Sequence, residues 1–132
     1  MRYAIALDIG TTNVQALLIE VLSGKHIDYL SVINSQAIYG EDVITRMARS
    51  LKSDDIREKI RKRILEDITI LIGLLLKRKN ILPNSLEKII VCGNSTMHHI
   101  LLGLPLEGLA RAPFRPAHKG KIYETSLGKL GI

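Results

Sequence analysis

Cysteine is almost absent from this 132-residue chain. Cys92 stands alone, so no internal disulfide can form, and no four-thiolate cluster can be assembled from these residues. A single unpaired thiol suits a reducing cytoplasm. Long apolar runs are missing too. The longest, Ile68 to Leu76, is interrupted by Thr69 and Gly73 and ends at Lys77-Arg78-Lys79, far short of the roughly 20 residues that cross a bilayer. It reads as a buried helix face, and no membrane partner is expected. The amino terminus meets Asp8 before a signal-peptide core of roughly 7 to 15 apolar residues can accumulate, so export is not expected. Neither Gly-x-x-x-x-Gly-Lys-Ser/Thr nor Gly-x-Gly-x-x-Gly occurs, which turns the reading away from P-loop and Rossmann sites. Aromatic residues are few, and none is interleaved with the basic clusters Arg57 to Arg63 and Lys77 to Lys79. The net charge of +6, from 19 Lys plus Arg against 13 Asp plus Glu, therefore reads as a solvated helix face rather than a nucleic-acid surface.

What is present is enough for one packed core, because 46% of the residues are hydrophobic. Residues 1–132 are expected to form a single subdomain. Tyr3 to Leu7 and Val14 to Leu22 are apolar runs separated by Asp8 to Asn13, and Ser23-Gly24 precedes a third run from His26 to Ile33. These predict three antiparallel strands joined by turns. Asn34 to Gly40 reads as a loop, and Asp42 as the cap of a helix carrying Val43, Ile44, Met47 and Leu51. Ser53 with Asp54 and Asp55 opens a longer helix, in which Ile56, Ile60, Ile64, Ile68, Ile72 and Leu76 recur at every fourth position until Asn80 and Pro83. Ile89 to Cys92 is expected to be a buried strand, Gly93-Asn94-Ser95 its turn, and Thr96 to Leu102 a helix stopped by Gly103 and Pro105. From Leu106 to Ile132 an irregular tail is expected. The order predicts an α/β fold, a mixed sheet covered by helices and short of its last strand.

Two strand-to-turn segments could carry chemistry. In Asp8-Ile9-Gly10-Thr11-Thr12-Asn13, glycine lets the backbone approach an anion, successive amides can form a nest, and two hydroxyls add donors. Asp8 would hold magnesium through water rather than touch phosphate. An ordinary hairpin turn remains the alternative. In Gly93-Asn94-Ser95-Thr96, a side chain can cap the next helix and free amides can face a ligand, although a plain structural cap accounts for it equally. His98 and His99 are adjacent, so on a helix they point about 100° apart and do not form a metal-gripping pair. Cys92, at the end of an apolar strand, reads as a buried inert thiol. Asp42 and Arg46 lie one helical turn apart, where they could pair on the surface or face a cleft.

The opening Ala6-Leu7-Asp8-Ile9-Gly10-Thr11-Thr12-Asn13 resembles the first phosphate motif of the superfamily joining acetate and sugar kinases, heat-shock chaperone ATPases and actin. Asn34-Ser35-Gln36, Tyr39 to Arg46, Gly93 to Met97, Leu102-Gly103 and Ala112-Pro113-Phe114 are further blocks similar to one branch, the ATP-dependent reductive activators of corrinoid proteins. The resemblance implies a ribonuclease-H-like (actin-like ATPase) subdomain, ATP and magnesium as cofactors, and a corrinoid protein as partner, returned to its cobalt(I) state. It implies Asp8, Gly10, Thr11, Thr12 and Asn13 as the phosphate and magnesium side, and Asp42, Arg46, Asn94 and Thr96 as cleft residues. Family members carry an iron-sulfur domain, which these residues do not contain. A second Asp-x-Gly-Thr segment is absent as well, so the chain resembles the first subdomain alone. Such a half site is expected to be inactive without its opposing subdomain, and the open sheet edge could pair two copies. A small-molecule kinase of the same fold and a non-catalytic basic binding module are the alternatives. A metal-dependent nuclease is disfavoured because only Asp8 is well placed.

Overall fold

The computed structural model describes residues 1–110 and Pro116. Three strands open it: β1 (Tyr3–Ile9), β2 (Asn13–Glu20) and β3 (His26–Ile33). They pair antiparallel in sequence order, and β4 (Leu86–Gly93) joins β1 in parallel, giving the strand order β3-β2-β1-β4. Helices α1 (Val43–Lys52) and α2 (Asp54–Arg78) form the crossover from β3 to β4, and α3 (Ser95–Leu102) follows β4. This is the ribonuclease-H-like arrangement of the actin-like ATPases.

The period-two alternation in β1 and β2 sends Ile5, Leu7, Ile9, Val14, Ala16 and Leu18 to one face, all nearly fully buried. Against them lies the stripe Ile60, Ile64, Ile68, Leu71 and Leu75 of α2, joined by Met97, Ile100 and Leu101 of α3. Ser53 starts α2 by accepting from the Ile56 amide at 3.1 Å. Asn80, at φ 54, ends it, with Ile81 N donating to Leu76 O at 2.9 Å. That is a left-handed helix close, in which asparagine does the work usually given to glycine. Gly103 closes α3 in the same way at φ 68, with Leu104 N donating to His99 O at 2.8 Å.

The structure corrects several expectations. Ile89 to Cys92 belongs to an edge strand, not a buried one: Ile90 is 58% and Val91 38% exposed, because β4 has a neighbour only on the β1 side among the described residues. Cys92 is accordingly exposed. The segment after β3 is a 3-10 turn over Ser35–Tyr39 rather than a plain loop. The tail expected to be irregular starts with Leu106, which is buried in the core, and a short helix, Glu107–Ala110. The Ala112-Pro113-Phe114 block lies outside the described residues. No described helix is long and apolar enough to cross a membrane. On α2, the basic Arg57, Lys59 and Arg61 pair with Asp54, Asp55 and Glu58 at helical spacing.

Both pairings that flank the central strands slip at one end only. Between β1 and β4 the register shifts at Tyr3/Ala4, and between β2 and β3 it shifts at Leu18/Ile19. Both irregularities lie away from the end where the Gly10–Asn13 and Gly93–Ser95 turns emerge.

Candidate functional site

The two turns leave the same end of the sheet. In the parallel register Asp8 stands beside Cys92 and Ile9 beside Gly93, so the two strands end together and Gly93 is level with the residue just before Gly10. A Cβ on Gly93 would come within 2.9 Å of Ile9 O, and one on Gly10 within 2.7 Å of Asn13 O. Real Cβ atoms do not approach so closely, so Gly93 is what lets the second turn sit against β1, and Gly10 is what lets the first turn close on itself.

The first turn is held from behind, carbonyl by carbonyl. Gly10 O accepts from Asn34 Nδ2 at 2.9 Å, Thr11 O from Arg46 Nη2 at 2.9 Å, and Thr12 O from Asn34 N at 2.8 Å. Gly10 N donates to Asn13 O at 2.9 Å, closing the turn. A trans peptide points its C=O and the following N–H in opposite directions. With the Gly10 and Thr11 carbonyls drawn into the interior, the Thr11 and Thr12 amides face out, and neither meets an acceptor among the described residues. Outward amides on a tight turn form a concave donor set for an anion.

Asn34 and Arg46 are both fully buried. Asn34 Oδ1 accepts from Gln36 N at 3.0 Å, which fixes the orientation of its amide. The Arg46 guanidinium donates to Gly40 O (3.0 Å), Gln36 Oε1 (3.2 Å), Thr11 O (2.9 Å) and the Met97 sulfur (3.6 Å). All four acceptors are neutral. No carboxylate lies within ion-pair reach of it among the described residues. Burial pulls its pKa down from the ordinary value, and the field of Asp42 pulls weakly the other way; guanidinium nonetheless stays charged in proteins. Gln36 Nε2 donates in turn to Ile60 O at 3.0 Å, and Ser35 N and Oγ donate to Asp67 of α2 at 2.8 and 2.9 Å. The 3-10 turn is therefore clamped to the helix under the sheet.

The second turn meets the first through Asn94. Its Oδ1 caps α3 by accepting from Met97 N at 2.9 Å, while its Nδ2 donates to Thr11 Oγ1 at 3.2 Å. Thr96 is buried in the first turn of α3, and Asp8, Thr12 and Asn13 are exposed. Asp42 is exposed and caps α1, accepting from Thr45 N at 2.7 Å and Thr45 Oγ1 at 3.1 Å, and these bonds lower its pKa. The surface pairing of Asp42 with Arg46 considered above does not form, because the guanidinium is turned into the interior toward Gly40 and Gln36.

Cys92 Sγ donates to Leu7 O at 3.3 Å. Burial, then the Asp8 charge and a hydrogen bond to it, push the thiol pKa up. His98 and His99 meet edge to face with centroids 5.9 Å apart, and His99 Nδ1 lies 2.6 Å from Ser95 O. No cluster of three or more His, Cys, Asp or Glu that could hold a metal occurs among the described residues.

Sequence reasoning marked Arg46 but missed the parts of Asn34, Gln36 and Gly40. The available signal was a run of amide side chains just where the chain must return across the core.

Three comparisons bear on identity. Residues 3–132 match the family described as RACo middle region. The corrinoid activation enzyme RamQ of Eubacterium limosum is 36% identical over 112 residues, covering 85% of this chain and 19% of that protein. A solved reductive activator for corrinoid, iron-sulfur protein superposes with a TM-score of 0.85 at 34% identity, over 88% of this chain and 18% of the other. The chain thus spans about a fifth of either relative. With residues 3–132 matched in full, a like fold and over a third of residues shared, the chain belongs to the RACo middle region family.

Proposed function

We propose that this chain is the phosphate-binding first subdomain of a cytoplasmic, ATP-dependent activator that returns a corrinoid protein to cobalt(I). The observation that carries the reading is the Gly10–Asn13 turn, its carbonyls tied inward and its Thr11 and Thr12 amides free to face a ligand. Membership in a family whose relatives include a corrinoid activation enzyme and a reductive activator supplies the substrate class.

In this reading the Gly10 to Asn13 backbone and the Thr11 and Thr12 hydroxyls receive phosphate oxygens. Asn94 orients the Thr11 hydroxyl, and Asp42, Arg46 and Thr96 support the cleft. Magnesium asks for few protein ligands when phosphates and waters complete its shell, so Asp8 would hold it, and the ion would supply positive charge to offset that of the phosphates. The opposing wall and the adenosine contacts come from a second subdomain, without which nucleotide stays open to water and hydrolysis is negligible. The electron comes from elsewhere, since one thiol cannot hold an iron-sulfur cluster.

Titrating Mg-ATP into this chain, and into RamQ carrying it in place of the matching segment, tests the reading. Amide shifts at Gly10 to Asn13 are expected in both, and ATP hydrolysis only in the graft. No shift in either would remove the proposal. Asp8→Asn in the graft should lower hydrolysis by a factor on the order of a hundred, as for loss of a group that stabilises developing charge.

A further inference from the structure

A buried cation with only neutral partners is an expensive arrangement. Taking one charge out of water costs several kcal/mol even after relaxation, and proteins ordinarily meet that cost with a carboxylate. Arg46 has none among the described residues: its fork is filled by three oxygens and a sulfur, all uncharged. One of those oxygens is Thr11 O, and the peptide that begins with it ends in the outward Thr12 amide. The guanidinium therefore sits at the back of the peptide whose front faces the anion site.

We infer that Arg46 is a positioning residue for phosphate: it locks the Thr11–Thr12 peptide with its N–H outward and supplies, through that peptide, the positive charge that a bound phosphate balances. The inference rests on the phosphate-binding reading of the turn and deepens it. Arg46 touches no ligand. It acts by holding a dipole in place and by adding behind it a charge that no described carboxylate contacts, where low polarity keeps the field strong. The rest of the shell fits this task. Gln36, itself anchored on Ile60 O, and Gly40 prevent the fork from swinging away, and Met97 closes the remaining side without adding negative charge.

The test uses the 15N-labelled 132-residue chain and magnesium pyrophosphate, following the Thr11 and Thr12 amides and the Arg46 Nε–H group. Saturable shifts at Thr11 and Thr12 are expected in the wild type. Arg46→Gln, measured where it remains folded, should bind on the order of tenfold more weakly or worse, the scale of losing a charged hydrogen-bond donor. A merely structural arginine would lower the melting temperature of the variant and leave its pyrophosphate affinity within about twofold of wild type; that result overturns the inference while the phosphate reading stands. Wild-type amides that ignore pyrophosphate would sink both. If Arg46→Gln does not fold, the wild-type Arg46 Nε–H resonance decides. Movement in step with Thr12 supports the inference, and a stationary signal beside a shifting Thr12 amide refutes it.

Discussion

Gly40 is the residue with the least freedom to change. Its φ is 139, and a Cβ there would lie 2.6 Å from Arg46 N, so both backbone conformation and space exclude a side chain. Gly40→Ala should cost about 2 kcal/mol or more, read as a lowered urea midpoint with an unchanged slope. The carbonyl of the same residue holds Arg46 Nε, so the variant should also weaken pyrophosphate binding. Cys92 gives a second prediction at this scale. Burial first, and the neighbouring Asp8 carboxylate second, raise its pKa above the ordinary value, and since the thiolate is the nucleophile, iodoacetamide at pH 8 should label it more slowly than a free thiol. Asp8→Asn removes the negative charge and should speed labelling several-fold; an unchanged rate would show that burial alone controls the thiol.

Among the elements, α1 is the one whose start depends on protonation. The Asp42 carboxylate accepts from Thr45 N and Oγ1, which lowers its folded pKa. A depressed carboxylate pKa stabilises the fold above the unfolded value and loses that contribution as pH falls through the folded one. Stability should therefore decline on acidification below the ordinary carboxylate range. Asp42→Asn, which caps comparably without titrating, should show a flatter profile in pH-dependent melting. Glu20 shifts the same way through Ser23 and Leu22, so some acid sensitivity will persist in that variant. Much at this scale was legible in the sequence. The fourfold spacing from Ile56 to Leu76, the Ser53 and Asp42 caps and the three opening strands all carry their signals locally. The Asn34, Gln36 and Arg46 network was not, because what buries a polar side chain is the partner it meets, and these partners lie between 2 and 63 positions away. The open side of the sheet was legible, since the order of elements predicts a sheet short of its last strand. The exposure of Ile90 and Val91 was not, because Ile89-Ile90-Val91 has the composition of a strand covered on both sides.

For the whole molecule, that edge governs behaviour in solution. Among the described residues β4 has a strand neighbour on the β1 side alone, beside the exposed Ile90 and Val91, and such edges recruit further strands. Sedimentation of the chain should show mass rising with concentration, and Ile90→Lys should suppress the rise; a monomer at every concentration would argue that the edge is protected. The candidate site, by contrast, depends on alignment. Its two turns meet only because Asp8 is level with Cys92 and Ile9 with Gly93, and the slips in strand pairing occur at the other end of the sheet. The sheet thus has a gauged end and a slack end. An extra residue beside Glu87 would be taken up where the pairing is already irregular. The same residue inserted beside Val91 would move one turn past the other by about 3.3 Å, enough to separate Asn94 from Thr11. Length is therefore read from one end only, and variation among relatives should gather where the sheet can absorb it.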